Sequence, residues 1–320
     1  MAWRAADNLR WYLRDARLPV MEHISGSTGV GQLSRFLEYH PRRWRKLRTI
    51  NTIDLKLFSD MIFDWAQESV PCTSLGINDE DNISGERFTV PCEPYFAIPF
   101  LPLGRARDIE RLFSWIDNFP LETVKRALHL LYPEFKSWKF DHCYEASGQA
   151  VFKRLTWSQS SHTVHQGHPL NLFLFAPWEV SMKDIQQFAN LQAFAPQSTA
   201  STRAARDSVC HALWDKVWDS CVSGNSPWFI VSTYTDWVFG VFSAGWTASF
   251  VSPVFHYDSH GPTVLEVLLF WLVSAMNLPG GWVVPEVRIE AAFPTRQLLT
   301  ATLRDFYDQE SAEALVLSIS

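Results

Sequence analysis

The sequence predicts an α/β protein in which a mixed β-sheet is flanked by helices and preceded by a helical N-terminal part. Three observations carry that prediction. Beyond residue 105, runs of helical period and runs that alternate every second residue follow one another along the chain. The stretch LNLFLFAPW, residues 170–178, is apolar without alternation, as expected of a strand covered on both faces. The resulting order of helices and strands implies a mixed sheet covered by helices.

The elements follow in order. Asp7 or Asn8 is placed to cap a helix running to Arg17, which Pro19 stops. Val30, Leu33, Phe36 and Leu37 share a second helical face, ended by Pro41. Leu57, Phe58, Met61, Ile62 and Trp65 share a third, so residues 1–70 read as helical. The glycines of GSTGVGQL lack both a preceding strand and the lysine of a phosphate loop, and read as helix entry with Ser27 or Thr28 as cap. Residues 71–104 are rich in proline, glycine and short polar residues and form a loop-rich connector. Asp79, Glu80 and Asp81 stand there without the alternating ligands of a calcium loop.

The core domain spans 105–320. Ile109, Leu112, Phe113 and Ile116 mark one helix; Pro120 begins another with Val124, Leu128 and Leu131. AVFKRLTW alternates as a strand. In residues 201–221, Val209, Leu213, Val217 and Cys221 form a stripe flanked by Cys210 and Trp214, the pattern of an amphipathic helix. PWFIVSTYT, WVFGVFSAG and TASFVSPVF read as three strands joined by turns. An apolar helix over 263–276, a short strand WVVPEVRI and a terminal helix near ATLRDFYDQESAEALV complete the chain.

Composition narrows the class. Of 320 residues 47% are apolar and 19% charged, which excludes a disordered chain. Fifteen tryptophans and twenty-three phenylalanines point to an aromatic core. The longest apolar run, PTVLEVLLFWLVSAM, contains Glu266 and falls short of the about 20 residues a membrane span needs, so a buried helix is expected and no membrane. The N-terminus lacks the pattern of a secretory signal, and the five cysteines are odd in number with no CxxC spacing. Both favour reduced thiols in an intracellular setting, cytoplasmic or nuclear.

The net charge of −6 hides an asymmetry: residues 1–50 carry ten basic against four acidic side chains, and the remainder is acidic. Arg42, Arg43, Arg45, Lys46 and Arg48 surround Trp44 in one basic segment. Such a segment suits a protein partner or nucleic acid, since cations neutralise phosphates and rings stack on bases. It equally suits docking on the acidic remainder of the same chain.

Two histidine clusters and one acid are the candidate chemistry. In FHYDSHGPTVLE, a strand would project His256, Asp258 and His260 from one face, about 6.5 to 7 Å apart for neighbours. Two imidazoles and a carboxylate suit Zn²⁺ or Fe²⁺. The turn formers from Asp258 to Pro262 offer the alternative of a loop ahead of a helix. His162, His165 and His168 form the second cluster in SHTVHQGHP, and the two together would supply a metal centre if the fold joins them. Otherwise no cofactor is expected. Glu266 either stabilises the first turn of its helix or, with Asp258, serves as a catalytic acid or base. Nucleophile elbows, phosphate loops, kinase triplets and dinucleotide fingerprints are missing.

PWEVSMKDIQQFANLQAF, WFIVSTYTDWVFGVFSAGWT and VSPVFHYDSHGPTVLEVLLFW resemble segments of a group of uncharacterised intracellular proteins from mushroom-forming fungi, over about a third of the chain. The helix leading into WFIVSTYTDWVFGVFS, followed by a strand and an apolar helix, also resembles the back half of restriction-endonuclease-like folds of the PD-(D/E)XK type. That resemblance implies a strand ending in a Glu-x-Lys pair and an Asp on the strand before it, the acids holding Mg²⁺. NLFLFAPWEV is the corresponding strand, yet Phe175 and Pro177 stand where Glu and Lys belong, and Glu179 and Lys183 fall beyond. The resemblance therefore implies a degenerate fold that binds without cleaving.

Overall fold

A strand buried on both faces needs helices on both sides, and the chain supplies them. The computed structural model describes residues 8–23, 47–72, 85–92, 104–143, 152–159, 169–193 and 209–287. The predicted α/β class is observed: eight strands form one mixed sheet with helices on its two faces. The strands are β1 (Thr49–Thr52), β2 (Trp138–Cys143), β3 (Phe152–Gln159), β4 (Leu170–Phe175), β5 (Trp228–Ser232), β6 (Asp236–Phe242), β7 (Ala248–Val251) and β8 (Phe255–His256). The helices are α1 (Leu9–Asp15), α2 (Leu55–Ser69), α3 (Ile109–Ile116), α4 (Glu122–Leu131), α5 (Met182–Asn190), α6 (Val209–Ser223) and α7 (Val264–Ala275).

The sheet order is β1-β7-β6-β5-β4-β3-β2. Strands β2, β3 and β4 form an antiparallel meander, the chain crosses through α5 and α6, and β5 returns parallel to β4. Strands β5, β6 and β7 form a second meander, and β1 lies parallel to β7. Strand β8 pairs with the start of β6 where β7 pairs with its end. At the break between them Ser252 replaces the ladder: Phe239 N donates to Ser252 Oγ at 3.0 Å and Ser252 N donates to Phe239 O at 2.8 Å.

Alternation along the central strands divides the core in two. Leu170, Leu172, Leu174, Trp228, Ile230, Trp237 and Phe239 join the core built with α1, α2, α3, α4 and α7. Phe173, Phe175, Phe229, Val231, Val238 and Phe242 join the core built with α5 and α6. Every residue of β4, β5 and β6 is buried, so the unbroken apolar runs follow from coverage on both sides.

Several elements differ from expectation. Asn8 caps α1, its side chain accepting from Trp11 N, and the helix ends at Asp15 because Ala16 turns to extended backbone. TINT, read among helices, is edge strand β1: its polar residues tolerate an edge, and Ile50 alone is buried. Leu57, placed on the apolar face of α2, is 57% exposed, whereas Phe58, Ile62, Trp65 and Ala66 are buried. Pro120 does not start a helix. It sits in a π-helical turn, Asp117–Leu121, that joins α3 to α4 without a break and absorbs the missing proline N–H. Helix α6 buries ten of its fifteen residues and is nearly enclosed rather than amphipathic. Trp282 to Glu286 form no strand. The face of Val30 to Leu37, the acids 79–81 and the terminal helix lie outside the described residues.

Candidate functional site

The chain enters FHYDSHGPT from the sheet and leaves it into α7. Strand β8 lasts only through His256; residues 257 and 258 form a turn, and Thr263 is the N-cap of α7. The common face expected of His256, Asp258 and His260 is therefore not formed. His256 Nδ1 instead turns back to Asp258 Oδ1. His260 points away, its Nδ1 accepting from Arg17 Nε at 2.7 Å. The imidazole beside Asp258 holds that carboxyl below the usual range through their hydrogen bond.

Glu266 is the third residue of α7 and completes a capping box. Thr263 N donates to Glu266 Oε2 at 2.8 Å, and Glu266 N donates to Thr263 Oγ1 at 3.2 Å. The Thr263 hydroxyl then donates to Leu13 O at 2.7 Å and ties α7 to the end of α1. Burial pushes the Glu266 carboxyl up, against the opposing pull of Thr263, Arg14 and Arg17. Its geometry is that of a helix cap, with its carboxylate turned onto its own N-terminus.

Asp236 escaped the sequence reading. It opens β6, pairs in register with His256 and is only 3% exposed. Its Oδ2 accepts from the Thr235 hydroxyl at 3.0 Å, whereas Oδ1 is buried with no hydrogen-bond partner among the described residues. Burial pushes its carboxyl up, offset by Thr235, His256 and Thr233. His256 thus has Asp258 at Nδ1 and Asp236 opposite it in the strand pair, with no hydrogen bond between His256 and Asp236 among the described residues. The signal was an acid opening an otherwise apolar strand.

His162, His165 and His168 lie outside the described residues. Among the described residues, no group of three His, Cys, Asp or Glu side chains is placed to hold a metal ion. Two donors, His256 and Asp258, fall short of the three protein ligands that catalytic zinc sites use.

A polar strip was also missed. Directly opposed residues share a face, so the register places Asp141 and Cys143 of β2, Arg154, Thr156 and Ser158 of β3 and Asn171 of β4 together. Ser158 Oγ donates to Asp141 Oδ2 at 2.6 Å, and Lys139 Nζ stands 3.0 Å from Asp141 Oδ1. Asp141 is the sole carboxylate in the strip, and it is engaged by its neighbours. Arg48 is exposed at the start of β1; Arg42, Arg43, Arg45 and Lys46 lie outside the described residues.

No protein-family model, curated protein or solved structure matches the chain. Among the described residues no helix is long and apolar enough to cross a membrane.

Proposed function

We propose that the chain is a non-catalytic binding or regulatory module on a degenerate nuclease-like fold, engaging nucleic acid or protein through Arg42, Arg43, Arg45, Lys46 and Arg48. One observation carries the reading. Strand β4, where the resemblance places the metal-binding acid and its lysine, presents Leu170 to Phe175 buried along its whole length. Strand β3 before it carries Lys153, Arg154, Thr156 and Ser158 and no acid. A hard divalent cation binds through several oxygens, and one engaged carboxylate does not meet that need. Glu179 lies in the turn after β4 and Lys183 on α5, off the strand.

Two further observations support the reading. All five cysteines are unpaired thiols, which suits a reducing compartment of the cell interior. Burial pushes the Cys92 thiol to about 11 and the Cys210 thiol to about 12, so both act as small hydrophobes. The basic segment adds a local surplus of cations around Trp44 to an otherwise acidic chain. Nucleic acid is the partner whose binding that charge predicts most sharply. Retention of a labelled oligonucleotide by the full chain should fall steeply as salt rises, with a shallower slope once Arg42, Arg43 and Arg45 are changed to glutamine. Indifference to nucleic acid at low salt removes that partner. One Zn²⁺ or Fe²⁺ per purified chain would overturn the non-catalytic reading.

A further inference from the structure

The sheet has two edges, β1 and β2, and the chain covers the first of them. Outside β1, Ile50 N donates to Gln192 O at 3.0 Å, Thr49 bridges to Ala193, and the Thr52 hydroxyl donates to Ala189 O at 3.1 Å. Strand β2 is treated differently. It pairs with β3 over all six residues without a bulge, it contains no proline, and among the described residues no strand or isolated bridge lies against its outer side. The Trp138 carbonyl accepts from His129 Nε2 at 3.0 Å, and the other ring nitrogen lies 2.8 Å from Glu86 Oε2. That contact anchors the start of β2 to α4 and leaves the carbonyl a second lone pair. A regular, open edge is a template for another strand unless its side chains forbid one.

The side chains of β2 discriminate between partners. Lys139 and Asp141 share one face, Nζ standing 3.0 Å from Oδ1, with the two side chains 51% and 40% exposed. Trp138, Phe140 and His142 share the other face. A second copy laid antiparallel along β2, about a two-fold axis perpendicular to the sheet, places directly opposed residues on a common face. An axis on Lys139 opposes two ammonium groups, and an axis on Asp141 opposes two carboxylates. An axis on Phe140 opposes Lys139 to Asp141 twice, Trp138 to His142 twice, and Phe140 to its own copy. Like charges directly opposite each other destabilise a strand pair, whereas opposite charges and aromatic pairs stabilise it. The axes on Phe140 and Asp141 alone overlap five of the six residues of β2, so charge selects the first of these.

From this self-complementarity we propose that the outer edge of β2 docks a second copy of this chain, antiparallel about Phe140, joining two eight-stranded sheets into one. The perpendicular axis keeps corresponding helix layers side by side, so both remain on their own faces of the joined sheet. The lysine that would discourage unrelated strands at this edge meets its complement only in the same sequence.

The test is the mass of the full chain in solution, read by light scattering from about 1 to 100 µM. It should rise toward twice the 36.8 kDa of one chain. Lys139→Asp and Asp141→Lys each oppose like charges at both ends of the strand pair, and each should weaken the dimer about tenfold or more. Mixed in equal amounts, the two variants again oppose unlike charges, and the dimer should return; a folding defect in either variant would not give that result. Phe140→Cys should cross-link under mild oxidation beyond the level of the unsubstituted chain, because opposed Cα atoms lie about 4.5 to 5.5 Å apart. A monomer at every concentration overturns the proposal. So does a dimer indifferent to both charge reversals, a mixture that regains nothing, or a cysteine at this position that adds no cross-link.

Discussion

Gly240 stands directly opposite Phe229 in the β5–β6 pair, and no other residue fits there. A Cβ built on it would lie 2.1, 2.4 and 2.8 Å from three carbons of the Phe229 ring, where carbon pairs settle at about 3.5 to 4 Å. The ring has nowhere to go. It packs 4.9 Å from Phe242, 5.8 Å from Trp214 and 6.5 Å from Phe188, all fully buried or nearly so. Gly240→Ala should therefore cost about 3 kcal/mol, the upper end of ordinary overpacking, since the neighbours are aromatic and already stacked. Phe229→Ala alone should cost about 3 to 5 kcal/mol through the cavity it leaves. In the double variant the new methyl enters that cavity, so Gly240→Ala should then be nearly neutral. Urea unfolding of the four proteins, followed by tryptophan fluorescence, gives the coupling, which should be about 2 kcal/mol or more. Additive effects, or a Gly240→Ala cost below about 1 kcal/mol in the unsubstituted background, would refute the packing argument.

Other expectations follow from the sites. Glu266→Ala should cost about 1 kcal/mol by removing half of the capping box, whereas Glu266→Gln keeps it. Because burial raises the Glu266 carboxyl, its link favours folding at low pH and fades as pH rises through the folded value; unfolding midpoints measured across pH should lose that component in Glu266→Gln. Asp236 is raised in the same direction, so Asp236→Asn should gain stability at neutral pH relative to acid, read by the same melts. Thr123→Val strands the amides of Thr89 and Val90 and should cost about 1 to 3 kcal/mol, with exchange at those two amides accelerated.

What could be read in advance was local. The run 170–175 announces a strand enclosed on both faces, and the box Thr263–Glu266 announces the start of α7, because each depends on neighbours in the chain. Strand β1 was hidden because four mostly polar residues become a strand only by lying along β7, about two hundred residues later. Helix α6 displays a clear stripe, yet packing encloses most of its other faces as well, a fact of tertiary placement. The common face expected of one histidine cluster is not formed, for a related reason. Alternation of His256, Asp258 and His260 presumed a strand, and the chain leaves β8 after His256 to begin the turn into α7. Glu86 and His129 lie forty-three residues apart and nothing in either neighbourhood marks the pair. Asp236 shows the converse, since an acid opening an apolar strand is visible once both faces of that strand are known to be covered.

The most direct test of a binding role without catalysis is one gel series. The full chain is incubated with single-stranded and duplex oligonucleotides in Mg²⁺ at low salt, and retention and strand length are read together. The account predicts retained nucleic acid of unchanged length. Shortened strands, under conditions where a heat-denatured sample leaves them whole, would contradict it.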